Sequence, residues 1–228
     1  MPSLLLTSFA PWRAHQPSNA SDDLICLLQD RQQIPADTVL IRQLPVHFQL
    51  APCQVIAAMV KVRPAVVVCC GMAERRSLLT LERSARWEDN VYQTSLALDQ
   101  LCLKTQWTEI SDDAGTYVCN HLYYRLLAYV HKHRWPIQCL FIHVPPVTEH
   151  NREFVIHDFA SILLQLSTSA HRLQRQRPEE LQPPPVSPVH FDQDRRLDLG
   201  PVTILAPNTN HNKTRMVNCI TGSRPFDE

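Results

Sequence analysis

The sequence predicts an α/β sandwich, in which helices cover both faces of a central sheet. Short apolar runs rich in β-branched residues alternate along the chain with longer segments whose apolar residues recur at helical spacing. That alternation is typical of sheets covered on both faces. The chain has 228 residues, of which 44% are hydrophobic and 19% charged, so it can bury one substantial core but is too short for two large domains.

Four apolar runs are predicted to be buried strands, and four segments with helical spacing are predicted to be helices. The strands are Leu4–Phe9, Thr38–Leu44, Ala65–Cys70 and Ile137–Val144. The helices span residues 21–32, 50–62, 117–133 and 153–171. Ligands of such sheets bind beyond the carboxyl ends of the strands, so a site is expected in the loops that follow them.

Local signals define the ends and faces of these helices. Ser21 and Asp22 are expected to cap the first helix, because short polar side chains accept hydrogen bonds from the free N–H groups at a helix start. Pro64 is expected to end the second, since proline disfavours helix in the residue before it. The spacing predicts that the inward face of the last helix contains Phe154, Ile156, Phe159, Ile162 and Leu163.

The composition changes near Leu173, where Pro-rich and polar stretches begin. Proline fixes the backbone and removes a hydrogen-bond donor, so these stretches are not central strands or helix interiors. We therefore expect a folded catalytic domain over residues 1–172 and a Pro-rich, largely irregular extension over residues 173–228. One short strand is expected in the extension, at Val202–Leu205.

The charge balance argues against a polyanionic partner. The 22 Lys and Arg residues equal the 22 Asp and Glu residues, so no basic excess favours binding to nucleic acid or to a membrane surface. No apolar run approaches the roughly 20 residues that a membrane helix needs, and the N-terminal run is too short for a signal peptide. The eight cysteines lie mostly in apolar runs, which is typical of reduced thiols, so we expect a cytoplasmic protein.

Cys119 is the candidate nucleophile. Gly115 precedes the helix predicted from residue 117, which puts Cys119 in the first turn of that helix. Free N–H groups and the positive end of the helix dipole favour an anion there, so we expect a lowered thiol pKa. The other seven cysteines are interpreted as small buried hydrophobic residues. Gly71 ends the third strand, a position where glycine allows close approach of the backbone to a ligand.

A thiolate hydrolase also needs a base and a group that orients the base. His143 ends the fourth strand and is a candidate base, although a lone histidine at a strand end is more often structural. Glu82 is the candidate orienting group, although its charged neighbours by themselves favour a solvated face. His131 and His133, at an exposed helix end, are interpreted as cations near a helix C-terminus. A metal site formed by these histidines or by Cys69 and Cys70 is not expected, because no second ligand pair lies at a supporting spacing.

Four blocks follow one another in the sequence, namely Leu5–Trp12, Gly71–Arg83, Asp113–Tyr123 and Phe141–Pro145. In this order they resemble the pyroglutamyl peptidase I (pyrrolidone-carboxylate peptidase) family of cysteine peptidases. The third block is long and specific, and together the blocks span most of residues 1–172. The resemblance implies a three-layer α/β/α sandwich with a mixed, mostly parallel central sheet.

The resemblance further implies an exopeptidase that hydrolyses the bond after an N-terminal pyroglutamyl residue, through a thioacyl-enzyme intermediate. The family's catalytic triad carries over to Cys119, His143 and Glu82. Peptides with an N-terminal pyroglutamyl residue are then the substrates, no cofactor or metal is expected, and a homo-oligomer is possible, since family members commonly form dimers or tetramers.

The family also implies substrate contacts at the first block and after the third strand. These carry over to Phe9, Trp12, Gly71 and Met72, of which the two aromatic residues could equally be ordinary core packing. A pyroglutamyl group has no α-ammonium, so its recognition needs an apolar slot and hydrogen bonds to the lactam. The sequence departs from the family at several positions around this slot, namely Trp12, Arg13, Ala14, the run Met72–Arg75, Trp87 and a shortened segment between Glu82 and Cys119.

Two alternatives belong to other functional classes. A catalytically silent relative would bind a peptide end or another protein through the altered pocket and the Pro-rich extension, since Pro-rich segments serve as extended ligands. A nucleoside-binding enzyme would rest on fold analogy alone, and the sequence contains no Gly-rich loop of the kind that binds phosphates.

Overall fold

The computed structural model describes residues 2–13, 16–175 and 204–205. Strands and helices alternate in most of this part of the chain, as the sequence predicts. The strands are β1 (Leu4–Phe9), β2 (Thr38–Leu44), β3 (Val66–Met72), β4 (Leu79–Glu82), β5 (Ser84–Trp87), β6 (Asn90–Gln93), β7 (Thr108–Ser111), β8 (Gln138–Val144) and β9 (Ile204–Leu205). The helices are α1 (Ala20–Asp30), α2 (Leu50–Val62), α3 (Leu98–Cys102), α4 (Val118–His133) and α5 (Arg152–Arg175).

Seven strands form the central sheet, in the order β7-β4-β8-β3-β1-β2-β9. Neighbours β2, β1, β3 and β8 run parallel, as do β4 and β7. The β4–β8 and β2–β9 pairs are antiparallel, while β5 and β6 form a separate hairpin. The sheet is therefore mixed and mostly parallel.

Apolar side chains are buried on both faces of this sheet, which gives two separate cores. Leu4 and Leu6 on β1 belong to the core that also contains residues of α1, α3 and α5. Leu5, between them, belongs to the core formed with α2 and α4. Because alternate strand residues point to opposite faces, this division requires helices on both sides. The predicted three-layer α/β/α fold class is confirmed.

The eight predicted elements are all present, with ends within a few residues of those expected. The capping prediction for α1 is wrong: Asn19 is the N-cap and accepts a hydrogen bond from the Ser21 N–H at 3.1 Å. Ser21 and Asp22 instead lie inside the first turn and are buried. Arg63, in the left-handed region at φ 53°, ends α2 just before Pro64.

The predicted inward face of α5 is wrong at one position. Phe154 is 42% exposed, while Val155 beside it is fully buried. The Phe154 ring stacks on Trp107 at 5.1 Å between centroids, with an angle of 17° between the ring planes. This external partner explains how an aromatic residue is accommodated on the outer face of the helix.

The short elements between residues 79 and 111 were not predicted, because four- and five-residue segments carry little periodicity. The strand expected at Val202–Leu205 corresponds to β9, which pairs with Leu40 and Ile41 of β2. Most of the predicted extension over residues 173–228 lies outside the described residues. No helix within the described ranges is long and apolar enough to cross a membrane.

Candidate active site

His143 lies near the carboxyl end of β8, between two neighbouring strands. It is paired in register with Gly71 on β3 and with Thr80 on β4. Glu82 lies two residues beyond Thr80, so its side chain lies on the same face of the sheet as that of His143. The His143 Nδ1 and Glu82 Oε1 atoms are 2.7 Å apart in a buried contact. The sheet register therefore brings together the predicted base and the predicted orienting group.

Glu82 is fully buried, so the interpretation of its surroundings as a solvated face is wrong. The cause is tertiary: β4 lies inside the sheet, between β7 and β8. A carboxylate removed from water in this way needs a charged partner. Arg76 provides one, because its Nη1 lies 3.0 Å from Glu82 Oε1.

Arg76 also connects the carboxylate to the loop before α4. Its Nη2 donates a hydrogen bond to the Asp113 carbonyl at 2.8 Å and another to Ser111 Oγ at 3.4 Å. Arg76 was not predicted from the sequence, although it lies within the block that contains Glu82. The signal available in the sequence was the position of Arg76 in a charged run near the candidate carboxylate Glu82.

Cys119 lies in the first turn of α4, directly over the end of β3. A Cβ atom added to Gly71 would lie 2.8 Å from Cys119 Sγ and 3.0 Å from Phe141 Cζ. Only glycine therefore allows the sulfur to approach this strand so closely. Gly71 is paired in register with His143. The Cys119 thiol therefore lies over the residue next to the predicted base. The three predicted catalytic side chains thus meet at one end of the sheet.

The expected lowering of the Cys119 pKa is wrong for the free protein. Burial raises the pKa of the Cys119 thiol to about 12, and the nearby negative charge of Glu82 acts in the same direction. The N–H groups at a helix start favour the thiolate, but the loss of hydration opposes it more strongly. The raised pKa favours the protonated thiol in the unliganded protein.

A cavity of about 480 Å³ opens at this end of the sheet. Its lining includes Cys119 and His143 together with three predicted substrate-binding residues, Phe9, Trp12 and Met72. Gly71 is not among the described residues that line the cavity, since it lies beneath Cys119. Other lining residues come from the loops after β1 and β3 and from the loop before α4, and they include Arg13, Glu74, Arg75, Arg76, Gly115 and Tyr117.

Two loops are connected at the edge of this cavity. Arg13 Nη1 lies 3.3 Å from Glu74 Oε2, and Gln16 Nε2 donates a hydrogen bond to Glu74 Oε1 at 2.7 Å. Gln16 in turn accepts a hydrogen bond from the Trp12 N–H at 3.3 Å. These contacts join the loop after β1 to the loop after β3, so Arg13 and Glu74, which lie at positions where the sequence departs from the family, take part in closing one side of the cavity.

Two further residues of α4 hold the segment that contains Glu82. The Asn120 side chain accepts from the Arg86 N–H at 3.0 Å and donates to the Arg86 carbonyl at 2.7 Å. The Tyr123 hydroxyl donates to the Glu82 carbonyl at 3.0 Å. Neither residue was predicted from the sequence, because their partners are 34 and 41 residues away along the chain.

Comparisons with known proteins agree with the fold and the blocks. Residues 2–101 and 90–171 match the family model described as pyroglutamyl peptidase. The pyrrolidone-carboxylate peptidase of Thermosipho melanesiensis is 30% identical over 169 residues, which is 62% of this chain and 82% of that protein. That of Thermoanaerobacter sp. is 30% identical over 179 residues, covering 66% of this chain and 87% of the relative.

Solved structures share the architecture. The chain resembles the pyroglutamyl peptidase I of Bacillus amyloliquefaciens with a TM-score of 0.63 at 22% identity, over 75% of this chain and 98% of the other. It resembles the pyrrolidone carboxyl peptidase of Thermococcus litoralis with a TM-score of 0.58 at 23% identity, over 78% and 97% of the two chains. At these identities, the likeness concerns the fold.

Proposed function

The chain belongs to the pyroglutamyl peptidase family of cysteine peptidases, and we propose that it releases an N-terminal pyroglutamyl residue from peptides by using Cys119, His143 and Glu82. The observation that carries the proposal is that Cys119 and His143 line one cavity while the buried Glu82 contacts His143. The buried His143–Glu82 contact of 2.7 Å provides an oriented imidazole, and Cys119 lines the same cavity as that imidazole. This arrangement has the parts that nucleophilic acyl transfer requires.

The first half of the reaction forms an acyl-enzyme. The proton of the Cys119 thiol, whose pKa is raised by burial, passes to His143 as Sγ attacks the pyroglutamyl carbonyl carbon. The negative charge that develops on the carbonyl oxygen is held by N–H groups in the first turn of α4, where Tyr117 makes no side-chain cap. The C–N bond then breaks, and His143 gives its proton to the departing amine.

The second half restores the free thiol. Water attacks the thioester carbon while His143 accepts a proton, and the C–S bond breaks with return of that proton to the sulfur. The products are pyroglutamate and the shortened peptide. Glu82 fixes the imidazole orientation in both halves and stabilises the imidazolium whenever it forms.

Substrate recognition falls to the apolar part of the cavity. Phe9, Trp12 and Met72 offer apolar surface to a lactam ring that carries no charge. A volume of about 480 Å³ lies in the range of small-molecule sites, and it accommodates the ring with part of the following residue. Gly71 contributes indirectly, by leaving room for the sulfur of Cys119.

Hydrolysis of a pyroglutamyl-coumarin amide under reducing conditions tests this function, with an alanyl-coumarin amide as the substrate control. We expect turnover of the pyroglutamyl substrate alone, and a loss on the order of 1,000-fold or more in Cys119→Ala. Cys53→Ala is the matched control, because this partly buried thiol lies on α2 outside the cavity. Acid quenching followed by mass spectrometry should find a pyroglutamyl thioester on Cys119.

A folded protein without turnover would overturn the proposal. Saturable binding of a pyroglutamyl peptide by that inactive protein would favour the silent relative, which captures a peptide end without cleaving it. Equal turnover of the alanyl substrate would instead contradict the assignment of the apolar cavity to the lactam ring.

A further inference from the structure

Arg76 lies at the cavity lining and contacts Glu82, in a position that the mechanism above does not use. It lies in the turn between β3 and β4, and its side chain is only 23% exposed. Its Nη1 and the His143 Nδ1 both approach the same oxygen, Glu82 Oε1, at 3.0 and 2.7 Å. The other oxygen, Oε2, is buried without a hydrogen-bond partner among the described residues. One carboxylate oxygen therefore joins a permanent cation to the imidazole.

We infer that Arg76 is a positioning residue that fixes the Glu82 carboxylate against His143 and sets the pH range in which the imidazole works. This inference rests on the proposed function, because it concerns the same triad. Arg76 does not touch the reacting atoms in this arrangement. It acts through Glu82, whose charge it balances, and it places a permanent positive charge near the imidazole.

The electrostatic effect follows from distance. Arg76 Nη1 and His143 Nδ1 both lie within about 3 Å of Glu82 Oε1, so they are at most about 6 Å apart. At an effective dielectric constant of about 20, a charge at that distance moves a neighbouring titration midpoint by about one to two pH units. The arginine is always protonated, so the effect is constant over the working pH range. Replacing it with a neutral residue should make a proton bind His143 more readily.

Other charged or titratable groups near the pair do not compensate for this cation. Burial raises the pKa of the Cys119 thiol and of the Tyr123 phenol on α4, so both are neutral at the pH values of interest. Glu109 on β7, which accepts a hydrogen bond from Thr80, is exposed and screened by solvent. The remaining charged groups lie at the cavity lining, namely Arg13, Glu74 and Arg75.

A purely structural role is the competing explanation, because Arg76 also donates to the Asp113 carbonyl and to Ser111. Loss of those bonds would lower activity equally at all pH values. A cation that acts on the imidazole instead moves the acid limb of the pH profile. Lysine keeps the charge but not the planar fork of donors, so Arg76→Lys separates the two roles.

The test is the pH dependence of kcat/KM for the pyroglutamyl-coumarin amide, over about pH 5 to 9, where histidine titrates. In Arg76→Gln we expect the acid limb to move to higher pH by about one unit, with a loss in kcat/KM that approaches roughly tenfold at pH values well below the limb. Arg76→Lys should return the limb close to its original position. Arg83→Gln is the matched control, because this nearby arginine pairs with the exposed Asp112 and should leave the limb almost unmoved.

An Arg76→Gln protein with reduced activity and an unmoved acid limb would overturn the inference. If the unaltered protein is inactive, the proposed function fails, and the inference is then decided by NMR titration of the His143 imidazole. A midpoint that rises in Arg76→Gln supports the electrostatic role, and an unchanged midpoint refutes it. Failure of the proposed function and failure of the role of Arg76 therefore give different results.

Discussion

Gly71→Ala should inactivate the enzyme while leaving most of the fold intact. The added Cβ would lie 2.8 Å from Cys119 Sγ, and Phe141 Cζ blocks retreat on another side at 3.0 Å. Phe141 is fully buried in the core that contains α4, so its ring has no free space to enter. The sulfur is therefore the atom that must move, and it moves away from the strand that pairs with His143.

The size of the effect can be worked out from this distance. Non-bonded atoms prefer separations of about 3.5–4.0 Å, so the sulfur must retreat by roughly 0.7–1.2 Å. A misplacement of about 1 Å costs on the order of 100-fold in rate, which we expect in kcat/KM for the pyroglutamyl-coumarin amide. The free energy of unfolding should fall by about 1–3 kcal/mol, as is usual when one carbon is added to a packed core.

Val67→Ile is the matched control for this prediction. It adds one carbon to the same strand and the same core, about 13 Å along β3 from Gly71. We expect a comparable loss of stability in urea unfolding without the loss of activity. A Gly71→Ala enzyme with unaltered kcat/KM would refute the claim that glycine is needed there to place the sulfur.

Three further predictions concern stability, measured by urea unfolding. Burial opposes ionisation of Asp22, but hydrogen bonds from Arg42, Ser8 and Gln43 lower the pKa of Asp22 below its usual value. The contribution of the ionised Asp22 to the free energy of unfolding is therefore present above about pH 4 and is lost as the pH falls further. Asp22→Asn should flatten this loss of stability in acid. An equally steep acid dependence in the variant would contradict this. Tyr123→Phe removes the donor to the Glu82 carbonyl and should cost about 1–2 kcal/mol, whereas an unchanged midpoint would show that bond to be dispensable. Asp158→Ala leaves two backbone N–H groups before β7 unpaired and should cost about 2–4 kcal/mol, against less than about 0.5 kcal/mol for the exposed control Asp99→Ala.

The sequence predicted those parts of the site whose signals are local. The apolar run before His143 indicated a strand end, and the helical spacing after Gly115 placed Cys119 in a first turn, as the structure has them. The state of the thiol was not predictable in this way, because its desolvation comes from distant elements that pack around it. The burial of Glu82 was missed for the same reason, since β4 has only four residues and its environment depends on pairing with β7 and β8.

The cap of α1 illustrates a finer limit. Asn19, Ser21 and Asp22 all have side chains suited to capping, and sequence preference does not rank them. Asp22 is drawn instead to Arg42 on β2, 2.8 Å away, and Ser21 accepts a hydrogen bond from the Phe9 N–H. Contacts with distant residues thus determine which of these three residues caps the helix.

The attachment of α4 to the Glu82 segment has a consequence for the motions of the enzyme. The Tyr123 hydrogen bond to Glu82 on β4 and the two Asn120 hydrogen bonds to Arg86 on β5 join the helix that carries the nucleophile to the segment that carries the carboxylate, so that they form one cooperative unit. Opening between them requires the loss of several buried bonds at once, so amide exchange in β4 and α4 should follow one common opening event. The triad is therefore expected to keep its geometry from one turnover to the next.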